Sequence, residues 1–196
     1  MPLVLPKLLK KSPIHRTSEL ESLGLSRPRL KLLVKQGLLE KASRGLYVLR
    51  DSGASEHRAL AEVSKRIPHG IICLLSALRF HDLTTQSPHE VWVALERSAW
   101  TPRMDHLDLR IVRFSGEALH KGHDQHLIEG VPVLVTNPAK TVADCFKYRN
   151  KIGIEVALEA LREAWNKRLC TMSELVHYAR ICRVSNVMKP YLESVT

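Results

Sequence analysis

Paired cysteines are missing from this chain. Its four, Cys73, Cys145, Cys170 and Cys182, lie far apart with no CxxC spacing, which argues against a disulfide framework or a zinc ribbon and makes a reducing cytoplasm the expected location. Long hydrophobic runs are missing too. The richest stretch, residues 70–78, is interrupted by Ser76 and falls short of the about 20 apolar residues a membrane-spanning helix needs, so no membrane partner is expected. The opening MPLVLPKLLKK is apolar only briefly, is broken by Pro2 and Pro6 and has no small-residue cleavage site, unlike a secretory signal. Gly116, Gly122 and Gly130 stand alone, so there is no glycine-rich phosphate loop. Internal repeats and low-complexity segments are also absent. What is present is enough apolar content, 44% of 196 residues, to build a core in one or two domains.

Negative charge is scarce in residues 1–50. Eleven Lys and Arg (Lys7, Lys10, Lys11, Arg16, Arg27, Arg29, Lys31, Lys35, Lys41, Arg44 and Arg50) face only Glu19, Glu21 and Glu40, so this quarter of the chain holds +8 of the total +10. Charge concentrated on one small segment marks a polyanion footprint better than an evenly basic protein would.

The order of elements in residues 17–49 reads as helix, turn, basic helix and hairpin, which is a winged helix-turn-helix. Pro6 fits the first turn of a short helix that Pro13 stops. Thr17 or Ser18 caps the next helix, with Glu19 and Glu21 near its positive end and Gly24 at its close. Ser26 caps a third helix with Pro28 in its first turn and Gly37 after its end. Leu30, Leu33, Val34 and Gly37 share one face of that helix; Arg29, Lys31, Leu32, Lys35 and Gln36 share the other, with Arg27 at the edge.

In a helix-turn-helix the third helix enters the major groove. Arg27, Arg29 and Gln36 are expected to read base edges, Lys31 and Lys35 to bind phosphate, and Leu32 to meet a thymine methyl. Residues 38–41 and 45–49 form the wing around Ala42, Ser43 and Arg44. Leu39, Leu46 and Val48 should pack inward, and Lys41 and Arg44 should reach DNA. The expected interface is therefore Ser26, Arg27, Arg29, Lys31, Lys35, Gln36, Lys41, Ser43 and Arg44.

A polar linker, residues 51–54, separates this 1–50 domain from a second domain at 55–196. Helical periodicity is expected over 55–67 and 71–83, then strands over 90–96, 107–114, 125–129 and 131–135. Asn137 caps a helix with Pro138 at its first position and Ala139, Val142, Ala143 and Phe146 as its buried stripe. Helices follow at 154–167, 172–184 and 186–194. Helices, then strands, then helices give the α+β class rather than a doubly wound sheet.

No catalytic constellation emerges, so the chain is read as a non-enzyme with no cofactor and no metal. His120, His123 and His126 in HKGHDQH have ligand-like spacing, but histidines in a polar loop more often face solvent. His177 and Cys182 are five apart and do not share a helix face. Asp105 and Asp108 near Arg110, and Glu90 with Glu96, invite a nuclease reading, but the carboxylate pair followed by a strand lysine is missing.

Across nearly its whole length the chain resembles the AbiEi family of antitoxins and transcriptional regulators from type IV toxin–antitoxin systems. The resemblance rests on GLSRPRLKLLVKQGLLEKASRGLYVL, with Gly37, Leu38, Leu39, Glu40, Arg44, Gly45, Leu46 and Tyr47 in the wing pattern, on SEHRALAEVSKRIPHGIICLLSALRFHDL, on VWVAL, and on VPVLVTNPAKTVADCF. The last holds a Pro-x-Arg/Lys-Thr-x-x-Asp pattern as Pro138, Lys140, Thr141 and Asp144, with lysine where the family more often has arginine. By themselves these residues read as helix-start packing with a surface i, i+4 pair.

The resemblance implies a winged helix that represses its own operon at inverted repeats in the promoter, the protein acting as a monomer that binds double-stranded DNA cooperatively. It also implies a carboxy-terminal antitoxin domain that counteracts a nucleotidyltransferase-like toxin without requiring a stable complex. Two other readings remain beside it: a winged helix that delivers a nuclease-like domain to nucleic acid, and a winged helix that docks on an acidic protein.

Overall fold

The computed structural model describes residues 12–50, 55–101, 104 and 106–195. The short helix expected at Pro6 and the linker at 51–54 lie outside the described residues. The chain divides into two compact units. One holds residues 1–69, 102–108 and 126–133, the other 70–101, 109–125 and 134–196.

The first unit runs β1 (Ile14–Arg16), α1 (Thr17–Ser22), α2 (Arg27–Lys35), β2 (Leu39–Ser43), β3 (Leu46–Leu49) and α3 (Arg58–Arg66). Its core is Leu20, Leu25, Leu30, Leu33 and Leu39, none more than 3% exposed. β2 and β3 form the wing, and Leu39, Leu46 and Val48 point inward as expected. A register shift between Lys41 and Ser43 bulges the first wing strand. The sequence gives no sign of β1, which pairs antiparallel with β3 and is too short to show an alternation.

Because the chain stays extended through Arg16, the cap of α1 is Arg16 rather than Thr17 or Ser18; the Arg16 amide donates to the Glu19 carboxylate at 2.9 Å. The same unit takes in α3. The Arg16 guanidinium donates to the Lys65 carbonyl (Nε at 2.9 Å) and Lys65 pairs with Glu19 at 2.8 Å. Arg58 pairs with Glu129 at 3.1 Å, and His106 meets Glu62 at 2.6 Å.

From Gly70 onward the elements are β4 (Ile71–Ile72), α4 (Leu74–Phe80), β5 (Val91–Glu96), β6 (Leu109–Phe114), α5 (Glu117–His120), β7 (His123–Ile128), β8 (Val131–Thr136), α6 (Pro138–Lys147), α7 (Arg149–Ile152), α8 (Ile154–Asn166), α9 (Met172–Ile181) and α10 (Ser185–Ser194). The sheet order is β6-β5-β4-β8-β7. β4 is antiparallel to β5 and parallel to β8, and β5 is parallel to β6. The turn between β7 and β8 is Glu129 and Gly130, both at positive φ (49° and 74°), as a two-residue hairpin turn of the I′ type requires.

The helix expected over 71–83 is corrected. Ile71 and Ile72 are the central strand, both buried, and the helix begins only at Leu74. A continuous apolar run does not distinguish a buried strand from a buried helix, and here strand partners on both sides decide it. Asn137 caps α6 as expected, its side chain accepting from the Lys140 amide at 2.9 Å. Every residue from Ala139 to Phe146 is buried, because α6 packs against α4, α8 and α9. A winged helix followed by a mixed sheet and a carboxy-terminal helical group is the α+β arrangement expected. Among the described residues no helix is long and apolar enough to cross a membrane.

Candidate nucleic-acid interface

α2 is built to present one face. Ser26 supplies an extended cap residue, though its side chain makes no cap hydrogen bond, Pro28 fits the first turn, and Lys35 in the last turn complements the helix dipole. Gly37 follows at φ +71°, a left-handed position that only glycine adopts readily. Leu30 and Leu33, at 0% exposure, fix the helix to the core. The opposite face leaves Arg29, Lys31, Lys35 and Gln36 in solvent together with Leu32, 44% exposed. A large apolar side chain left out among cations fits a surface that meets base methyls as well as phosphates.

The remaining expected residues divide. Ser26, Lys41 and Arg44 are exposed, Arg44 in the turn of the wing. Arg27 is exposed too, but its guanidinium is hydrogen-bonded to Glu21 on α1 at 2.9 Å, an exposed pair of small net value. Ser43 is 4% exposed and its hydroxyl is a buried atom without a hydrogen-bond partner. The bulge at Ala42 puts Ser43 on the inner side of the wing, so it is not part of the solvent-facing set.

Sequence reading missed a cationic niche of about 180 Å³ lined by Arg16, Arg44, Gly45, Leu46, Lys65 and Arg66. The Arg66 Nε is buried there without a partner. Lys65 and Arg66 look in the sequence like an ordinary basic helix end, and only the fold brings them to the wing. Glu19 helps set the local field: burial would raise its carboxyl, but hydrogen bonds from Lys65 and the Arg16 amide, with the Lys65 charge, hold it below the usual carboxylate range.

In the second unit the Pro138, Lys140, Thr141, Asp144 pattern is not a surface pair, and that expectation is corrected. Lys140 is 0% and Asp144 1% exposed, and the Lys140 ammonium donates to both Asp144 oxygens at 2.6 Å. The cause is that α6 is covered on every side. Lys140 also lies over the Phe114 ring, 4.6 Å from its centroid, and the Cys182 thiol donates to Asp144 at 3.2 Å. The Thr141 hydroxyl is within hydrogen-bond reach of the Thr136 and Asn137 carbonyls, at 3.0 and 2.8 Å. Burial pushes the Asp144 carboxyl above its ordinary range against the pull of Lys140. Burial likewise pushes the Cys182 thiol up to about 12, so it stays a protonated donor.

HKGHDQH is not a loop: His120 ends α5, and His123 and His126 lie on β7. His123 is held below the ordinary histidine range, chiefly by burial. Among the described residues no three His, Cys, Asp or Glu side chains converge as metal ligands. Gly122 is more than punctuation: a Cβ there would stand 2.6 Å from the Tyr178 ring and 2.9 Å from the Lys140 side chain. Glu90 lies 3.8 Å from Arg110 in an exposed pair. Asp105 lies outside the described residues.

Helix, turn, exposed basic helix and bulged wing give the first unit's head the architecture of a winged helix-turn-helix. Residues 4–50, the segment that carries it, match the model of a family described as transcriptional regulator, AbiEi antitoxin. No curated protein matches the chain at significant similarity.

Proposed function

We propose that the protein is a cytoplasmic DNA-binding autorepressor and antitoxin of a type IV toxin–antitoxin system. In this reading residues 1–50 bind inverted repeats in the operon's own promoter, as a monomer acting cooperatively. Residues 55–196 counteract a nucleotidyltransferase-like toxin without forming a stable complex with it, and no catalytic step is involved. The observation that carries the reading is the α2 face: Arg29, Lys31, Lys35 and Gln36 stand in solvent on a helix fixed to its core by Leu30 and Leu33, with Lys41 and Arg44 exposed on the adjoining wing. Cations held out of the core in this way release counterions when they meet phosphate, which gives affinity with a steep salt dependence.

Titration of the full chain with its upstream intergenic duplex over a range of salt tests this. The binding constant should fall linearly on a log–log plot against salt, and Arg29→Ala with Lys35→Ala should weaken binding by roughly 10- to 100-fold and flatten the slope. Absent or salt-independent binding overturns the reading. Co-expression with the adjacent toxin tests the second half, and loss of growth rescue is expected in variants of residues 55–196 but not in Arg29→Ala.

A further inference from the structure

The second unit contains a polar cavity of about 510 Å³ that the nucleic-acid reading does not use. Cations from three separate elements converge on it. Arg113 comes from β6, Lys147 from the end of α6, and Arg180 from α9; Arg183, just past α9, and His177 complete the rim. All five are exposed. The contacts they make are to neutral groups: Arg113 donates to the Glu96 and Ala99 carbonyls at 2.8 and 2.7 Å and to the Thr101 hydroxyl, and Lys147 donates to the Cys182 carbonyl at 3.0 Å. No carboxylate among the described residues forms an ion pair with Arg113, Lys147, Arg180 or Arg183.

The two acids that line the cavity are neutralised from outside it. Asp144, at its buried edge, is held by Lys140 on both oxygens, and Glu117 is paired with Lys121; neither lysine belongs to the lining. The field left inside the cavity is therefore positive. Arg183 follows the α9 cap in a left-handed conformation, φ +58°, where glycine is usual and a side chain costs about 1 kcal/mol.

We propose that this cavity binds a small phosphorylated anion of di- or triphosphate type. Guanidinium forks match phosphoryl oxygens pairwise, and three arginines with a lysine match the charge of a polyphosphate better than that of one carboxylate. The volume also exceeds what a single carboxylate fills. Among the lining rings Tyr148 is already packed by Phe114, centroids 5.9 Å apart, and by the Lys151 ammonium, 5.6 Å from its centroid, so the recognition assigned here rests on the phosphate chain.

Calorimetric titration of the full chain at low salt with inorganic tripolyphosphate, ATP and sulfate tests the assignment. Tripolyphosphate and ATP should bind and sulfate should bind far more weakly. Arg180→Gln combined with Arg183→Gly should weaken tripolyphosphate binding by roughly tenfold or more. The melting temperature without ligand should stay level or rise, because glycine relieves the φ at position 183. No polyphosphate binding, or equal affinity in wild type and variant, overturns the proposal. The nucleic-acid backbone is the other source of phosphate, and a duplex arm separates it. The double variant should keep full duplex affinity while Arg29→Ala with Lys35→Ala keeps tripolyphosphate affinity; duplex affinity lost with the cavity arginines overturns the small-anion assignment.

Discussion

In the first unit five leucines form the core, and Arg29, Lys31, Lys35, Lys41 and Arg44 stand in solvent around them. In the second unit Lys140, chemically the same kind of group, sits at 0% exposure in a helix buried along its length, with Asp144 closed around it at 2.6 Å. An exposed cation needs no internal partner and leaves its charge available to a ligand. A buried one has lost its water, and its partner must supply what water did. The contrast teaches that basic residues in this chain do two jobs: around the α2 head and the 510 Å³ cavity they offer unspent charge, and inside α6 they hold a fold together.

The sharpest way to break the contrast is to remove one partner of the buried pair. Asp144→Ala or Lys140→Ala leaves an uncompensated charge and should cost about 3–5 kcal/mol in chemical denaturation. Lys140→Met with Asp144→Leu, which removes both charges, should cost far less; a double variant as damaged as the singles would mean that the hydrogen bonds to Asp144, including that from Cys182, matter more than charge balance. Next in size is Gly122→Ala. Its Cβ would press on the Tyr178 ring and on Lys140 at positive φ, so a loss of about 2–4 kcal/mol is expected, and a melting temperature unchanged from wild type would show that the packing around Lys140 yields easily.

A smaller effect separates the units by pH. The Glu19 carboxyl is held below its ordinary 4.5, so its contribution is present above 4.5 and is lost as pH falls through the lower folded value. Asp144, raised by burial, acts in the opposite sense, its contribution being lost as pH rises through the folded value. Glu19→Gln should therefore flatten the acid limb of the full chain's stability profile; an unaltered limb would mean that Lys65 and the Arg16 amide do not hold the charged form. The smallest effect is expected for Arg27→Ala, whose pair with Glu21 is exposed: a change within about 0.5 kcal/mol. A larger loss in a thermal melt would show that Arg27 braces α1 against α2 and does not simply face solvent.

Much of the first unit was legible because its signals are local. Gly24 and Gly37 close the helices, Pro28 opens α2, and the apolar spacing of Leu30 and Leu33 orients the helix, so the exposed cations follow from the wheel. Ser43 was misplaced because a single-residue bulge inverts which side of a strand faces in. In the second unit Asn137 was read correctly as a cap, again from neighbours in the chain. Ile71 and Ile72 were read as helix because nothing within the run marks strand partners that lie some twenty residues on in β5 and about sixty on in β8. Of the cavity cations, Arg180 and Arg183 stand three apart at one helix end, but Arg113 and Lys147 come from other elements, so spacing does not show that the four converge.

Composition, caps and periodicity by themselves settled the existence of a basic winged head and the class of the fold, because charge density and short-range backbone preference belong to residues adjacent in the chain. Burial of the Lys140–Asp144 pair, the inward turn of Ser43, the niche of Arg16 with Lys65 and Arg66, and the positive cavity were decided only by the tertiary structure. The physical reason is desolvation: whether a charged side chain is an exposed ligand for a partner or an internal brace depends on which distant elements displace its water, and sequence spacing carries no record of that.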